Sequence, residues 1–252
     1  MADELLAGAH VSARAEVAPG ARIGPSAVVE AAVRIGPGTE IGPGAVIHAG
    51  TQIAGDCLIE AHAVLGKRPR LRARSTAPRD DLPALQIEPG ATICAGAVVY
   101  AGTRIGAGVI VGDQAHVRER VVIGAGSVIG RGSSVEFGTR IGARVLIQSD
   151  VYVTAGVIVE DDVFVGPGVV TTNDDTMGRH PTGEPRRGAV LRRACRVGGG
   201  VVIVPGAEIG EEAFVAAGAV VTGDIGRREV VIGVPARVVR TVGDEDMIER
   251  WT

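Results

Sequence analysis

An aliphatic residue recurs every six positions along almost the whole chain. A first block runs from Val11 through Val17, Ile23, Val29, Ile35, Ile41, Ile47, Ile53 and Ile59 to Leu65 without a miss. A second runs in the same steps from Ile87 to Val165 and a third from Leu191 to Val221, which makes thirty aliphatic positions in all. A period of six fits neither the 3.6-residue period of an amphipathic helix nor the two-residue alternation of a long strand. It predicts very short strands separated by corners. Two positions before the aliphatic stands a small or β-branched residue, as at Ala21, Ala27, Thr39, Ala45, Ser127, Thr139, Val145 and Ala207. Both side chains of such a pair then point inward. Glycine commonly follows the aliphatic, at Gly24, Gly36, Gly42, Gly106, Gly124, Gly142 and Gly210. A tight corner is expected to use its permissive backbone there. Cys57 and Cys195 fall in the small inward slot and read as core.

Composition agrees with a narrow, ring-poor interior, since aromatics are 2% of the 252 residues while glycine numbers 38. The formal charge of -3 lacks the basic footprint of a nucleic-acid binder, so the expected partners are small molecules. Three cysteines without a C-x-x-C pair imply neither disulfides nor zinc. No basic start leads into an apolar run, and no 18 apolar residues are consecutive, so the chain reads as soluble and cytoplasmic with no membrane span.

The thirty hexads resemble those of the hexapeptide-repeat acyltransferase superfamily. The resemblance implies an all-β fold, a left-handed parallel β-helix of three hexads per turn and about ten coils. The repeat would span 11–222, with loop excursions at 66–86 and 172–190, an N-terminal lead at 1–10 and a C-terminal capping segment at 223–252, with a short terminal helix expected over 243–252. With three hexads per coil, residues eighteen apart stack, and the outward residue before each aliphatic sorts into three faces. One reads Arg34, Gln52, Gln86, Arg104, Val122, Arg140, Ile158 and is mostly polar. Another reads Arg22, Glu40, Leu58, Thr92, Ile110, Val128, Leu146, Phe164 and turns apolar. The third reads Val28, Val46, Val64, Val98, His116, Ser134, Tyr152, Val170, an apolar stripe with a polar island. Apolar outward faces need covering. The superfamily's homotrimers, with active sites in the clefts between subunits, would cover both.

The island falls where such a cleft is expected. His116 is the base by residue type, because imidazole titrates near neutrality. Glu119 or Glu136 would orient the imidazole or bind the acceptor's ammonium group, and Ser134 and Tyr152 would meet the acceptor. The run Glu160 to Gly168, followed by Thr171-Thr172-Asn173-Asp174, is similar to nucleotide-linked amino-sugar N-acetyltransferases, which implies that Asn173 and Asp174 touch the acceptor sugar. One coil earlier that family carries an aromatic, an acidic residue and glycine, where this chain has Thr154-Ala155-Gly156. The segment Ile232 to Arg240 matches the family's C-terminal G-x-P-A-[KR] motif, which implies a coenzyme A pocket. Gly233, Pro235, Arg237 and Arg240 would border it, with Ala217 and Gly218 letting pantetheine approach. The donor is then acetyl-CoA, with no metal. The excursion at 66–86 carries Lys67, Arg68, Arg70, Arg72, Arg74 and Arg79, and reads either as a grip on a diphosphate or as a solvated loop. His48, His62 and His180 lie elsewhere, and no His-x4-His occurs, which disfavours a carbonic anhydrase of the same fold. The resulting expectation is an acyl-CoA-dependent N-acetyltransferase acting on a UDP- or dTDP-linked amino sugar. A UDP-N-acetylglucosamine O-acyltransferase-like enzyme and a noncatalytic β-helix scaffold are the alternatives.

Overall fold

A computed structural model describes residues 8–73, 75–179 and 186–251. Most of the N-terminal lead, together with Arg74 and His180, lies outside these residues. Strands of two residues, such as Arg22–Ile23, Val28–Val29 and Arg34–Ile35, feed three parallel sheets in strict rotation. This is an all-β parallel solenoid, consistent with the left-handed winding that the resemblance implies. Within each uninterrupted run a strand pairs with the one eighteen residues on, and the three faces stack as the hexad arithmetic expects. The paired positions include Val98, His116, Ser134 and Tyr152 in succession.

Both excursions leave this register undisturbed. Gln86 pairs with Gln52 across the first, and Ile158 pairs with Val190 across the second. The insertions therefore replace single corners while the coils close beneath them. The sheets hold eleven, ten and twelve strands, so the stack is taller than about ten coils. In the eleven-stranded sheet the added strand is Val170–Thr171, with threonine in the aliphatic position, and in the twelve-stranded sheet the extra height comes from the C-terminal segment. Glu229–Ile232 adds a parallel rung to Phe214–Val215, and Arg237–Thr241 folds back antiparallel on it. In place of a terminal helix there are two single 3-10 turns, Asp244–Asp246 and Ile248–Arg250.

The inward aliphatics form one continuous core with Cys57 and Cys195 buried in it. Buried hydroxyls in the small slots join successive coils. Ser127 donates to the Gly142 carbonyl at 2.8 Å and accepts from the Val145 amide at 2.9 Å. Ser133, beneath the polar island, does the same for Gln148 and Val151. Each thereby satisfies corner groups that would otherwise be stranded in an apolar interior.

The corner glycines serve a different purpose from the one expected. Gly24, Gly36, Gly42, Gly106, Gly124, Gly142 and Gly210 do not have positive φ; that conformation falls two residues later, at Gly38, Gly44 and Gly126 and also at non-glycines such as Arg120 and Arg144. What excludes a side chain after the aliphatic is the next coil. A Cβ at Gly124 would lie 2.5 Å from the Gly142 carbonyl carbon, and at Gly36 2.5 Å from that of Ala54. Gly124→Ala must therefore push two backbones apart. It is expected to cost about 1–3 kcal/mol, the usual range for overpacking. Urea denaturation checks this, and an unchanged midpoint would show that the coils can separate freely.

Candidate active site

The first excursion shapes the polar island. Its leading strand, Val64–Lys67, is longer than the standard rung, and a bulge after Leu65 sets Lys67 opposite Tyr100 at the end of Val98–Tyr100. Tyr100 is buried, in a corner position that holds no Phe, Tyr or Trp in any other coil. The returning part of the excursion lies against the next corner: Leu82 abuts Gly102, and Asp80 pairs with Arg120 at 2.9 Å. Among its cations, Arg79 donates to the carbonyls of Arg72 and Ala73, and Arg68 to that of Leu82. These two stabilise the loop itself, and Lys67 is the cation delivered to the island.

Tyr100 organises what surrounds it. The His116 ring meets it edge-on, with centroids 5.2 Å apart and planes at 79°. The Lys67 ammonium and the Arg118 guanidinium each sit 5.5 Å from its centroid, and Arg118 also lies 5.9 Å from that of Phe137. Both are cation–π distances. The sequence pattern alone passed over Tyr100. The available signal was an aromatic in a chain nearly free of them, directly after the inward aliphatic, where no other coil has one.

Glu119 is placed differently from expectation. Its fully buried carboxylate takes a bidentate pair from Arg118 at 2.8 and 2.9 Å instead of orienting the imidazole. A buried carboxylate needs such a fork, because burial without a partner is costly. Arg118 also reaches Glu136 at 3.2 Å. Burial pushes the Glu136 carboxyl up and the nearby Glu119 adds to this, while Arg118 opposes it. Burial likewise raises the Tyr152 phenol, with a contribution from Glu136. For His116 burial has the opposite sign and pulls the imidazole down; Arg118 and Lys67 add to this and Glu119 opposes it. The environment therefore favours the neutral ring, the form that can accept a proton. Ser134 and Tyr152 follow it up the same sheet, half-buried and exposed respectively.

Asn173 and Asp174 shape the start of the second excursion. Asn173 donates to the Ala155 carbonyl at 3.0 Å. Asp174 accepts from the Thr176 and Gly178 amides and pairs with Arg186 at 3.1 Å. At the other end, the Gly233 carbonyl and the Ala236 amide bond the backbone of Val220, fastening the terminal segment beside Ala217 and Gly218. A Cβ on Gly218 would meet nothing, so this corner is open. Arg237 and Arg240 are exposed, and among the described residues neither forms an ion pair.

A potential metal-ligand group lies on another sheet. Glu60, Cys94 and Asp113 bring ligand atoms within 4.8 Å of one another. Both carboxylates already accept the Ala95 amide, at 2.9 and 3.2 Å. Burial and these two charges raise the Cys94 thiol to about 11. No helix among the described residues is long and apolar enough to cross a membrane.

Sequence and structure comparisons place this solenoid among known proteins. The family model "Bacterial transferase hexapeptide (six repeats)" matches residues 32–67, 102–136 and 138–173, and "Hexapeptide repeat of succinyl-transferase" matches 188–223. The chain belongs to the hexapeptide-repeat transferase superfamily. A stretch of 50 residues is 46% identical to the galactoside O-acetyltransferase of Escherichia coli (strain K12), covering 20% of this chain and 25% of that one. The match thus spans about a quarter of that relative. A hexapeptide-repeat acetyltransferase from Vibrio cholerae, solved with acetyl coenzyme A, is 30% identical over 48% of this chain and 71% of its own, with a TM-score of 0.43. An Arabidopsis UDP-N-acetylglucosamine acyltransferase aligns over 95% of this chain and 76% of its own at 18% identity, with a TM-score of 0.51. This last likeness is one of fold.

The Arg118–Glu119 pair is open to a direct test. Arg118→Met leaves a buried carboxylate unpaired and is expected to cost about 3 kcal/mol or more. Adding Glu119→Gln should recover part of that loss, and a double-mutant cycle in urea reads the coupling. Additive losses would mean the pair is not coupled.

Proposed function

We propose that this chain is an acyl-CoA-dependent acyltransferase whose acceptor binds at His116. The observation that carries the reading is a half-buried imidazole beside Ser134, in edge-to-face contact with Tyr100 and next to an Arg118 that is already paired with Glu119 and Glu136. Acyl transfer from a thioester forms a C–N or C–O bond at the carbonyl and breaks the C–S bond, and the acceptor must lose a proton. His116 takes that proton, and the departing coenzyme A thiolate is reprotonated. Glu136, Tyr152, Asn173 and Asp174 border the acceptor, and Glu119 acts at one remove by holding Arg118.

The donor is acetyl-CoA, lying toward the terminal coils at Ala217, Gly218, Gly233 and Pro235, with Arg237 and Arg240 near its phosphates. Support comes from the open Gly218 corner, the two unpaired arginines and the C-terminal motif. The acceptor in this reading is a nucleotide-linked amino sugar of surface polysaccharide synthesis, supported by the Glu160 to Asp174 run. Sites of this kind would lie between subunits of a cytoplasmic homotrimer. Leu58, Ile110, Leu146 and Phe164 on one face, and Tyr152 and Val170 on another, are between 36% and 42% exposed in the single chain, which supports burial by other copies.

A second reading, transfer to a sugar hydroxyl, is favoured by the match to the galactoside O-acetyltransferase. Neutral imidazole suits both chemistries, and assays with matched amino and hydroxy sugar nucleotides separate them. The expected outcome is faster acetyl-CoA consumption with the amine; a preference for the hydroxyl would replace the first reading by the second.

His116→Asn should retain the native mass of three chains and its coenzyme affinity, while kcat/KM falls by about 10²-fold or more, the common size of a general-base contribution. Turnover near that of the parent would move the search to Glu136 and Asp174. Arg237→Ala should weaken coenzyme A binding by calorimetry more than acceptor binding, and equal affinities would remove Arg237 from the donor pocket.

A further inference from the structure

A base works only if its ring is held at the right angle, and a histidine is ordinarily held by a carboxylate or carbonyl on its second nitrogen. Among the described residues His116 has no such partner: its imidazole makes a ring contact but no hydrogen bond, and Glu119 on its own corner is committed to Arg118. Its neighbours in the sheet, Val98 and Ser134, fix only its backbone. The one directional contact on the ring is the edge-to-face meeting with Tyr100.

Tyr100 is well suited to supply that direction. It is buried, and its ring is held by the backbone of Val98–Tyr100, by Lys67 from the first excursion and by Arg118 from the corner after His116. Arg118 is in turn anchored on Glu119 and Glu136. We propose that Tyr100 is the positioning residue of this site, its ring setting the angle of His116 by aromatic contact in place of a hydrogen-bonded acceptor. The proposal rests on the reading of His116 as the base. It also assigns the first excursion a purpose, since the bulge after Leu65 brings Lys67 over the ring.

The charged and titratable groups around His116 are Lys67 from the excursion, Tyr100 on the strand below, Arg118 and Glu119 on its own corner, and Glu136 and Tyr152 on the coils above. Lys67 disfavours the imidazolium. Its removal must therefore raise the pH at which His116 becomes protonated.

Four variants test the assignment: Tyr100→Phe, Tyr100→Leu, Lys67→Met and, as reference, His116→Asn. Tyr100→Phe keeps the ring and should keep turnover within about two-fold. Tyr100→Leu should lower kcat by about ten-fold or more through misplacement of the base, with the acceptor KM nearly unchanged. Lys67→Met should move the acidic limb of the pH–rate profile to higher pH. NMR titration of the His116 imidazole reads the same shift without substrate. It also shows whether Tyr100→Leu retains a folded site. Tyr100→Leu with full turnover, in a protein that His116→Asn inactivates, overturns the positioning role alone. Equal losses in Tyr100→Phe and Tyr100→Leu would assign the effect to the hydroxyl and overturn it too. A fully active His116→Asn sinks the base reading and this proposal together.

Discussion

Coil-to-coil backbone hydrogen bonding is the constraint on which the rest of this molecule depends. Each rung contributes only two residues and gains stability because its amides bond to the coil above, as from His116 to the Ser133 carbonyl at 2.8 Å and from Arg118 to Val135 at 2.8 Å. Neighbouring strands in such sheets lie about 4.8 Å apart. At that spacing a side chain at a converging corner collides with backbone, which explains Gly36 and Gly124. The same spacing gives each inward aliphatic its counterparts directly above and below, so the core is a column with little room for rings.

A lattice this regular permits irregularity only at its corners, and the candidate site is built from one. The excursion after Leu65 leaves one corner and rejoins the stack in register at Gln86. In passing, it supplies Lys67 and covers Tyr100 next to the coil that carries His116. The cost is a concentration of charge. Arg118, Glu119 and Glu136 lie partly or wholly out of water, and a set like this persists when its members satisfy one another. Arg118 does so with a fork to Glu119 and a third bond to Glu136. The carboxylates are directed at Arg118, and among the described residues the His116 imidazole makes no hydrogen bond.

The superfamily and the chemistry rest on different kinds of observation. Repeat models matched along much of the chain establish the superfamily, and a solenoid shared with an Arabidopsis acyltransferase at 18% identity concerns the scaffold. A scaffold of this kind hosts several activities, so function must be argued from side chains. Here the argument rests on His116 and its surroundings and on the open corner at Gly218.

The hexad pattern by itself determined the repeat, the inward ladder and the positions of both excursions. All of these follow from local geometry repeated every six residues, which a linear sequence displays directly. It also placed His116, Ser134 and Tyr152 on one stripe, because stacking at eighteen residues is arithmetic once three hexads close a coil. Only the tertiary structure decided which carboxylate meets which cation. Glu119 bonding to Arg118, the meeting of Lys67 with Tyr100 from a strand thirty-odd residues earlier, and the terminal strand folding back on Glu229–Ile232 depend on side-chain reach and on irregular backbone. The role of the glycines was hidden for the same reason. Their positions are visible in the sequence, but the clash that requires them involves a coil the repeat does not reveal until it is stacked.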